Sequence, residues 1–428
     1  MSRITSRSAA AALAPLVHAV LGEDLPIEVR FWDGSRLGDP GGPATIVLRS
    51  PHAVRRILYS PNEVGFGRAY ILGDADIEGD ALAAMRQIAQ AAPEDLRIGT
   101  RSLVRSLPRA VRLGIFGRPL PRPGEEARLH GRRHTRQRDA AAIAHHYDVG
   151  NDFYRLVLGD SMTYSCARFT SPADNLEIAQ TAKYDLICRK LGLRPGMRLL
   201  DVGCGWGGMV MHAATSYQVA AVGVTLSEQQ YELARKRVAD AGLSDSVEIR
   251  LQDYRDVGAG TGGERFDAVS SIGMFEHVGQ AQMAAYFEVL AAVLSPGGRL
   301  LNHAVSTPNG AQFDRRSFTA RYVFPDGELQ DVAAVAAAME AVDLEIRDVE
   351  SLREHYALTL RHWVANLEAN WVAAVELVGP VRARIWKLYM LGAIVTFEMG
   401  DIALHQVLAV KAFEDGTSGM PLTRSEMV

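Results

Sequence analysis

Residues 199–208 read LLDVGCGWGG, an apolar run closed by an acid and followed by glycines at 203, 205, 207 and 208. A strand ending in residues without a Cβ opens its backbone to a ligand, and a helix begins in the same turn. Two ligand classes use such a turn. A dinucleotide rests its pyrophosphate on the helix N-terminus and needs an acid at the end of the second strand to grip a ribose. Here the second strand candidate closes as VGVTLS, with Thr225 where that acid would stand, and the spacing is GxGxG after Asp201 rather than GxGxxG. A phosphate-free nucleoside fits better, with Asp201 near its positively charged part. A purely structural turn leaves Asp201 and the GxGxG rhythm without a reason.

The turn sits in a longer alternation of apolar runs and amphipathic helices, the pattern of an α/β sheet with helices on both faces. Strand candidates are 197–202, 219–224, 247–252, 266–272, 299–305 and 344–350. A helix begins near Gly207, and another opens at Ser227 and stops before Gly242. Residues 355–379 repeat Tyr356, Leu360, Trp363, Val364, Leu367, Trp371 and Val378 near helical spacing, so they predict an inserted amphipathic helix.

The N-terminal part reads differently. Short strand-like pieces (PIEVRFWDG, PATIVLRS) mix with helical ones, and the apolar run at 9–21 predicts a surface helix rather than a secretory signal. Between 101 and 138 there are eleven arginines against Glu125 and Glu126, and RPLPRPG (118–124) breaks the chain. We therefore expect a smaller α+β domain over 1–125 and the sheet domain over 126–428. RSLVRSLPRAVRLGIF (101–116) is a basic amphipathic stretch suited to an anionic lipid surface or to a solvated linker. A length of 428 residues with 48% hydrophobic and 22% charged content suits a two-domain globular protein. The net charge of −4 gives no global reason to expect nucleic acid. Cys166, Cys188 and Cys204 lack metal spacing and suggest a reducing, cytoplasmic setting. No stretch approaches the ~18 apolar residues of a membrane span.

Six strings together carry a specific resemblance: HHYDVGNDFYRLVLGDSMTYSCARF (145–169), LLDVGCGWGG, VGVTLSEQQ (222–230), SIGMFEHVG (271–279), NHAVS (302–306) and SLREHYALTLRHW (351–363). Over roughly residues 140–412 the chain resembles the cyclopropane-fatty-acid and mycolic-acid cyclopropane synthases, which are class I S-adenosylmethionine methyltransferases. The resemblance implies a Rossmann-like methyltransferase sheet. It also implies methyl transfer from S-adenosylmethionine to the cis double bond of an unsaturated phospholipid acyl chain, through a carbocation whose proton goes to a bound bicarbonate. Carried over residue by residue, the anion is held by Glu276, His303 and Tyr356 with backbone at Cys166 and Val305. The cofactor contacts are Tyr164, Ser165, Gly203, Gly205, Thr225, Leu226, Gln230, Asp253 and Tyr254, beside Asp201 from the glycine turn. These residue types suit the task, since tyrosine and histidine donate to an anion and a glutamate accepts its proton.

Blander readings stand beside these. Glu276 could cap a helix, His303 could be a hydrogen-bonded core histidine and Tyr356 could simply pack. Ser227 and Gln230 form the S-x-x-Q of a capping box. His277 stays outside the core set, and nothing near Cys166 activates its thiol.

The chain departs from its relatives in YMLGAIVTFEMGDIALHQ (389–406), with Ala393 where they have cysteine and Glu398 where they have arginine. The expected product is a cyclopropane or a methylene- or methyl-branched chain, and a changed pocket beside the cation would divert it from ring closure toward the methylene branch, as in the first step to tuberculostearic acid. A saturated branch then needs a separate reductase, because the sequence holds no second glycine fingerprint. Peripheral contact with a membrane surface and a homodimer complete the expectation; a methyltransferase of another small molecule is the nearest alternative, and no metal is expected.

Overall fold

The computed structural model describes residues 8–22, 25, 27–91, 113–115, 117–131, 133–147, 149–258, 263–311 and 314–428. Most of the basic stretch singled out above, residues 101–112 and 116, lies outside them. The chain divides into two compact units. One is built from residues 1–127, 316–323 and 378–395, the other from 128–315, 324–377 and 396–428. The boundary at 127/128 falls beside the sequence-derived one, but two later segments return to the first unit.

The first unit holds a mixed sheet of strands β1 (Glu28–Arg30), β2 (Arg36–Gly38), β3 (Ala44–Leu48) and β4 (Ala75–Gly79), in the order β2-β1-β3-β4. β1 and β3 are parallel and the other pairs antiparallel. The helix Ala9–Leu21, whose N-terminus is capped by Ser8, buries Ala9, Ala10, Ala12, Leu13 and Leu16. That places an apolar face in the core beside Ile27, Val29 and Phe31, where the sequence suggested a surface helix. Glu126 fastens the returning segment: its buried carboxylate meets Arg68 and Arg321, each at 2.7 Å, and accepts from Tyr322 Oη.

In the second unit seven strands line up as β10-β11-β9-β8-β5-β6-β7. They are β5 (Arg198–Val202), β6 (Ala220–Thr225), β7 (Val247–Leu251), β8 (Phe266–Ile272), β9 (Leu294–Ser306), β10 (Leu344–Ser351) and β11 (Ala403–Lys411). β5 to β9 are mutually parallel, as crossover helices dictate, and β11 runs antiparallel to both β9 and β10. Side chains alternate between two apolar layers. Leu300 and Val407 join one with Phe266, Phe287 and Leu290; Leu301 and Leu408 join the other with Ile187, Leu199 and Val210. Both faces are therefore covered, as expected of a sheet that reads as continuous apolar runs.

Sequence and structure differ at two places. β11 has no counterpart among the strand candidates, because His405 and Gln406 interrupt the apolar run that would have marked a buried strand. The inserted helix stops at Ala369 and restarts at Trp371, and the second piece is kinked at Gly379 (φ 77°) before Pro380.

Candidate active site

In a parallel sheet ligands gather at the carboxyl ends of the strands, and a hollow opens there between the ends of β5, β6 and β8. It encloses about 1120 Å³ of non-atom space, counting the part that opens to solvent. Gly203 follows β5 with φ 79°, and a Cβ on it would come within 2.8 Å of Met274. Its amide and that of Cys204 both donate to the Val224 carbonyl at 3.0 Å, which ties the turn to β6. Gly205 also has positive φ, and no atom lies within 4 Å of where its Cβ would be. The glycines thus serve different ends, one for close packing and one for open space.

Of the cofactor residues expected from sequence, Tyr164, Ser165, Asp201, Gly203, Gly205, Thr225, Leu226, Gln230 and Tyr254 all line this hollow. Asp201 is buried and accepts from Ser270 Oγ at 2.6 Å; burial pushes its carboxyl up to about 6. Gln230 combines both of its readings. Its amide N–H donates to Ser227 Oγ as a helix cap, while its side-chain oxygen accepts from Thr225 Oγ1 at 2.8 Å. Tyr164 stacks on Trp363 with ring centroids 5.1 Å apart. Asp253 is the exception: it does not line the hollow, and both its carboxylate oxygens are taken by Arg255 at 2.8 and 2.6 Å. Arg255 itself lines the wall in its place, with Gln252 and Asp139.

Four of the five residues expected to hold an anion, Glu276, Val305, Tyr356 and Cys166, are linked by contacts at the end of β9. Val305 N–H donates to Glu276 Oε1 at 2.8 Å. Val305 pairs with Leu404 across β9 and β11, and the Leu404 carbonyl accepts from Leu352 N–H. The Leu352 carbonyl then receives both the Tyr356 N–H at 3.1 Å and the Cys166 Sγ at 3.7 Å. His303, two residues before Val305, is fully buried, and Gln406 Nε2 lies 3.2 Å from its Nδ1. With the amide donating to Nδ1, the neutral ring carries its proton on Nε2. Burial drives His303 well below the ordinary histidine range, so the ring stays neutral.

Several polar atoms around the end of β9 are left over, Gln406 Oε1 among them. Glu276 Oε2 and His303 Nε2 are both shielded from solvent and make no hydrogen bond. Burial pushes the Glu276 carboxyl up to about 7. Buried polar atoms without partners are costly, so Glu276 Oε2, whose other oxygen is tied to Val305, and His303 Nε2, two residues before Val305, are open to a polar guest. At Val305, whose backbone was expected to help hold the anion, the amide is not an open donor. It is spent on Glu276 and so fixes the carboxylate rather than the anion. Cys166 has its thiol raised far above the usual range by burial, in keeping with a role for its backbone alone. Tyr356 packs its ring against Phe397 at 4.7 Å and edge-on to Trp363.

Sequence reasoning missed Lys183, which is buried in the wall of the hollow with its Nζ 2.9 Å from Ser165 Oγ. The signal was available, for lysine is scarce in a chain whose 46 basic residues are nearly all arginine. His277, set aside as a neighbour of Glu276, also lines the hollow, and burial lowers it to about 4. Among the described residues no cluster suited to a metal ion is present.

A nucleoside-sized hollow at the ends of β5 and β6, floored by a glycine turn under a sheet with one antiparallel strand, defines a class I S-adenosylmethionine-dependent methyltransferase fold and site. Comparison with known proteins takes this one step further. Residues 134–407 match the mycolic acid cyclopropane synthetase family, and the chain belongs to it. It is 43% identical over 411 residues to a probable fatty acid methyltransferase of Mycobacterium tuberculosis, covering 93% of this chain and 94% of that one. It is 31% identical over 413 residues to the tuberculostearic acid methyltransferase of the same organism, covering 93% and 91%. Among solved structures it resembles a mycolic acid cyclopropane synthase complexed with SAH and CTAB, with a TM-score of 0.59 and 34% identity, over 63% of this chain and 97% of that one. The protein is a methyltransferase that uses S-adenosylmethionine.

Proposed function

We propose that the protein transfers the methyl group of S-adenosylmethionine to a carbon of the cis double bond in an unsaturated phospholipid acyl chain, through a carbocation, and releases a methylene-branched product. The observation that carries this reading is the pair of unpartnered buried atoms, Glu276 Oε2 and His303 Nε2, at the end of β9. An ordinary methylation of nitrogen or oxygen has little use for a second, dry polar niche beside the cofactor. Attack by an alkene has, because the cation it leaves must lose a proton to something other than bulk water.

The residues fit a bicarbonate ion on the chemistry of their donors. Glu276 would accept the hydrogen bond of its hydroxyl, and His303 Nε2–H, the Tyr356 phenol and the Cys166 backbone would meet its charged oxygens. When bound, such an ion supplies a base that is not itself alkylated by the cation. The chain's part is to hold it still and dry. Glu276, fixed by the Val305 amide and with its carboxyl raised to about 7, is suited to sharing a proton at neutral pH. His303 remains a neutral donor. S-adenosylmethionine supplies an electron-poor methyl group, and Gly203, Gly205, Tyr164 and Thr225 would seat it against the strand ends at near-attack geometry.

The branched product is favoured by Ala393 and Glu398, which replace a cysteine and an arginine of related synthases. Glu398 is paired with Arg361, so the acid is neutralised within this chain. The names of the two Mycobacterium relatives, both lipid methyltransferases, support an acyl substrate. Among the described residues no helix is long and apolar enough to cross a membrane. We also propose that the enzyme meets lipid at a membrane surface, as a homodimer, with reduction to a saturated branch left to a separate reductase.

The test is incubation with methyl-labelled S-adenosylmethionine and a panel of phospholipids carrying monounsaturated or saturated chains, followed by mass spectrometry of the released fatty acids. Label in a branched chain derived only from unsaturated lipids is the expected result. A cyclopropane ring as the only product overturns the branching step, and label confined to a headgroup overturns the reading itself.

A further inference from the structure

Lys183 and Asp201 line the same hollow, both are almost completely closed off from solvent, and they form no ion pair with each other. Each is a poorly compensated charge. Burial lowers the Lys183 ammonium to about 7 and raises the Asp201 carboxyl to about 6, and each feels the other's field only as a secondary effect. A fold does not bury two opposite charges in one cavity, unspent on one another, without a cost that something else offsets.

The immediate partner of Lys183 narrows what that something is. Its Nζ donates to Ser165 Oγ at 2.9 Å, and the ammonium lies 3.9 Å from the centre of the Tyr184 ring. A hydroxyl that accepts from an ammonium keeps its own proton for another acceptor. Ser165 is held in place by Gln180 Nε2, which donates to its carbonyl at 2.9 Å. Gln180, Lys183 and Tyr184 stand three and four residues apart on the helix Leu176–Leu191, so a single helix face braces this corner of the hollow. The corner thus offers a polarised O–H backed by a positive charge, a receptor for an anion. Asp201, in the same wall, offers the complement for a cation.

We propose that Lys183 is a positioning residue that acts through Ser165 to hold the carboxylate of the cofactor's methionine moiety, with Asp201 serving its ammonium. The assignment rests on the reading that S-adenosylmethionine occupies this hollow. A zwitterionic amino-acid head satisfies both buried charges at once, and anchoring it fixes the direction in which the sulfonium methyl points.

The test compares binding of S-adenosylhomocysteine with that of 5′-methylthioadenosine, which keeps the nucleoside and sulfur but lacks the amino-acid head. Calorimetry is run on the full chain and on its Lys183→Met and Ser165→Ala variants. The expected result is a loss of roughly 10- to 100-fold in affinity for S-adenosylhomocysteine in either variant, with methylthioadenosine binding unchanged. In turnover, the KM for S-adenosylmethionine rises and kcat falls with it, because the methyl is no longer held in line. A variant that weakens both ligands equally, or neither, overturns the proposal. Should Lys183→Met fail to fold, the Ser165→Ala ratio decides alone. If the unaltered chain does not bind S-adenosylhomocysteine, it is the underlying cofactor reading that falls.

Discussion

Glu276 shows how one side chain can be held for chemistry at the expense of stability. Its ordinary value is 4.5 and burial takes it to about 7, so the native state binds more protons than the unfolded chain between those limits. Stability from this group is therefore complete on the acid side and is lost as pH rises through about 7. Glu276→Gln removes that loss. The melting temperature of the variant relative to the unaltered chain should rise by roughly 2–4 °C between about pH 5 and about pH 8, measured by calorimetry at both. A flat difference would mean that the carboxyl titrates normally. The same variant should lose methyl transfer by roughly 10²- to 10⁴-fold and keep its affinity for S-adenosylhomocysteine, because Glu276 does not line the cofactor hollow. Loss of that affinity would place the residue at the wrong site.

At the level of elements, the β5 turn is where sequence and geometry agree most closely. Four glycines after LLDV announced a ligand turn, and Gly203 has both the positive φ and the crowding against Met274 that forbid a Cβ. Gly203→Ala should cut S-adenosylhomocysteine affinity by about tenfold or more, through roughly 1–2 kcal/mol of left-handed backbone cost and displacement of Met274. Gly242 has φ 69° and no neighbour within 4 Å, so Gly242→Ala should cost stability alone. Paired calorimetry and thermal melts separate the two, and equal binding losses would deny the turn its special role. Elsewhere legibility followed burial. β5, β6, β7 and β8 are short apolar runs and were readable almost to the residue. β11 was not, because Gln406, whose amide meets His303, is a polar residue in a buried strand. The strand breaks its own hydrophobic pattern at the point where it serves the site.

On the scale of the whole molecule, the order of the strings along the chain was enough to place the second unit in its family, and the contacts explain why. Strings far apart in sequence, such as TYSCARF, FEH, NHAVS and LREHY, meet here: Glu276 is bonded to Val305, Val305 stands in register opposite Leu404, and Leu404 is bonded to Leu352, which reaches Cys166 and Tyr356. Residue identity could announce that set, but only tertiary structure could show that the Val305 amide is spent on Glu276 and that Arg255 occupies Asp253. The scarcity of lysine singles out Lys183 in the sequence, but only the fold shows that it is buried against Ser165 in the wall of the hollow.

The central claim is that a proton leaves the transferred methyl group itself, taken up in the niche of Glu276 and His303. Supplying S-adenosylmethionine with a fully deuterated methyl and an oleoyl phospholipid tests it directly. The account predicts that product molecules retain two of the three deuterium atoms, whether the outcome is a methylene branch or a ring, and retention of all three would contradict it.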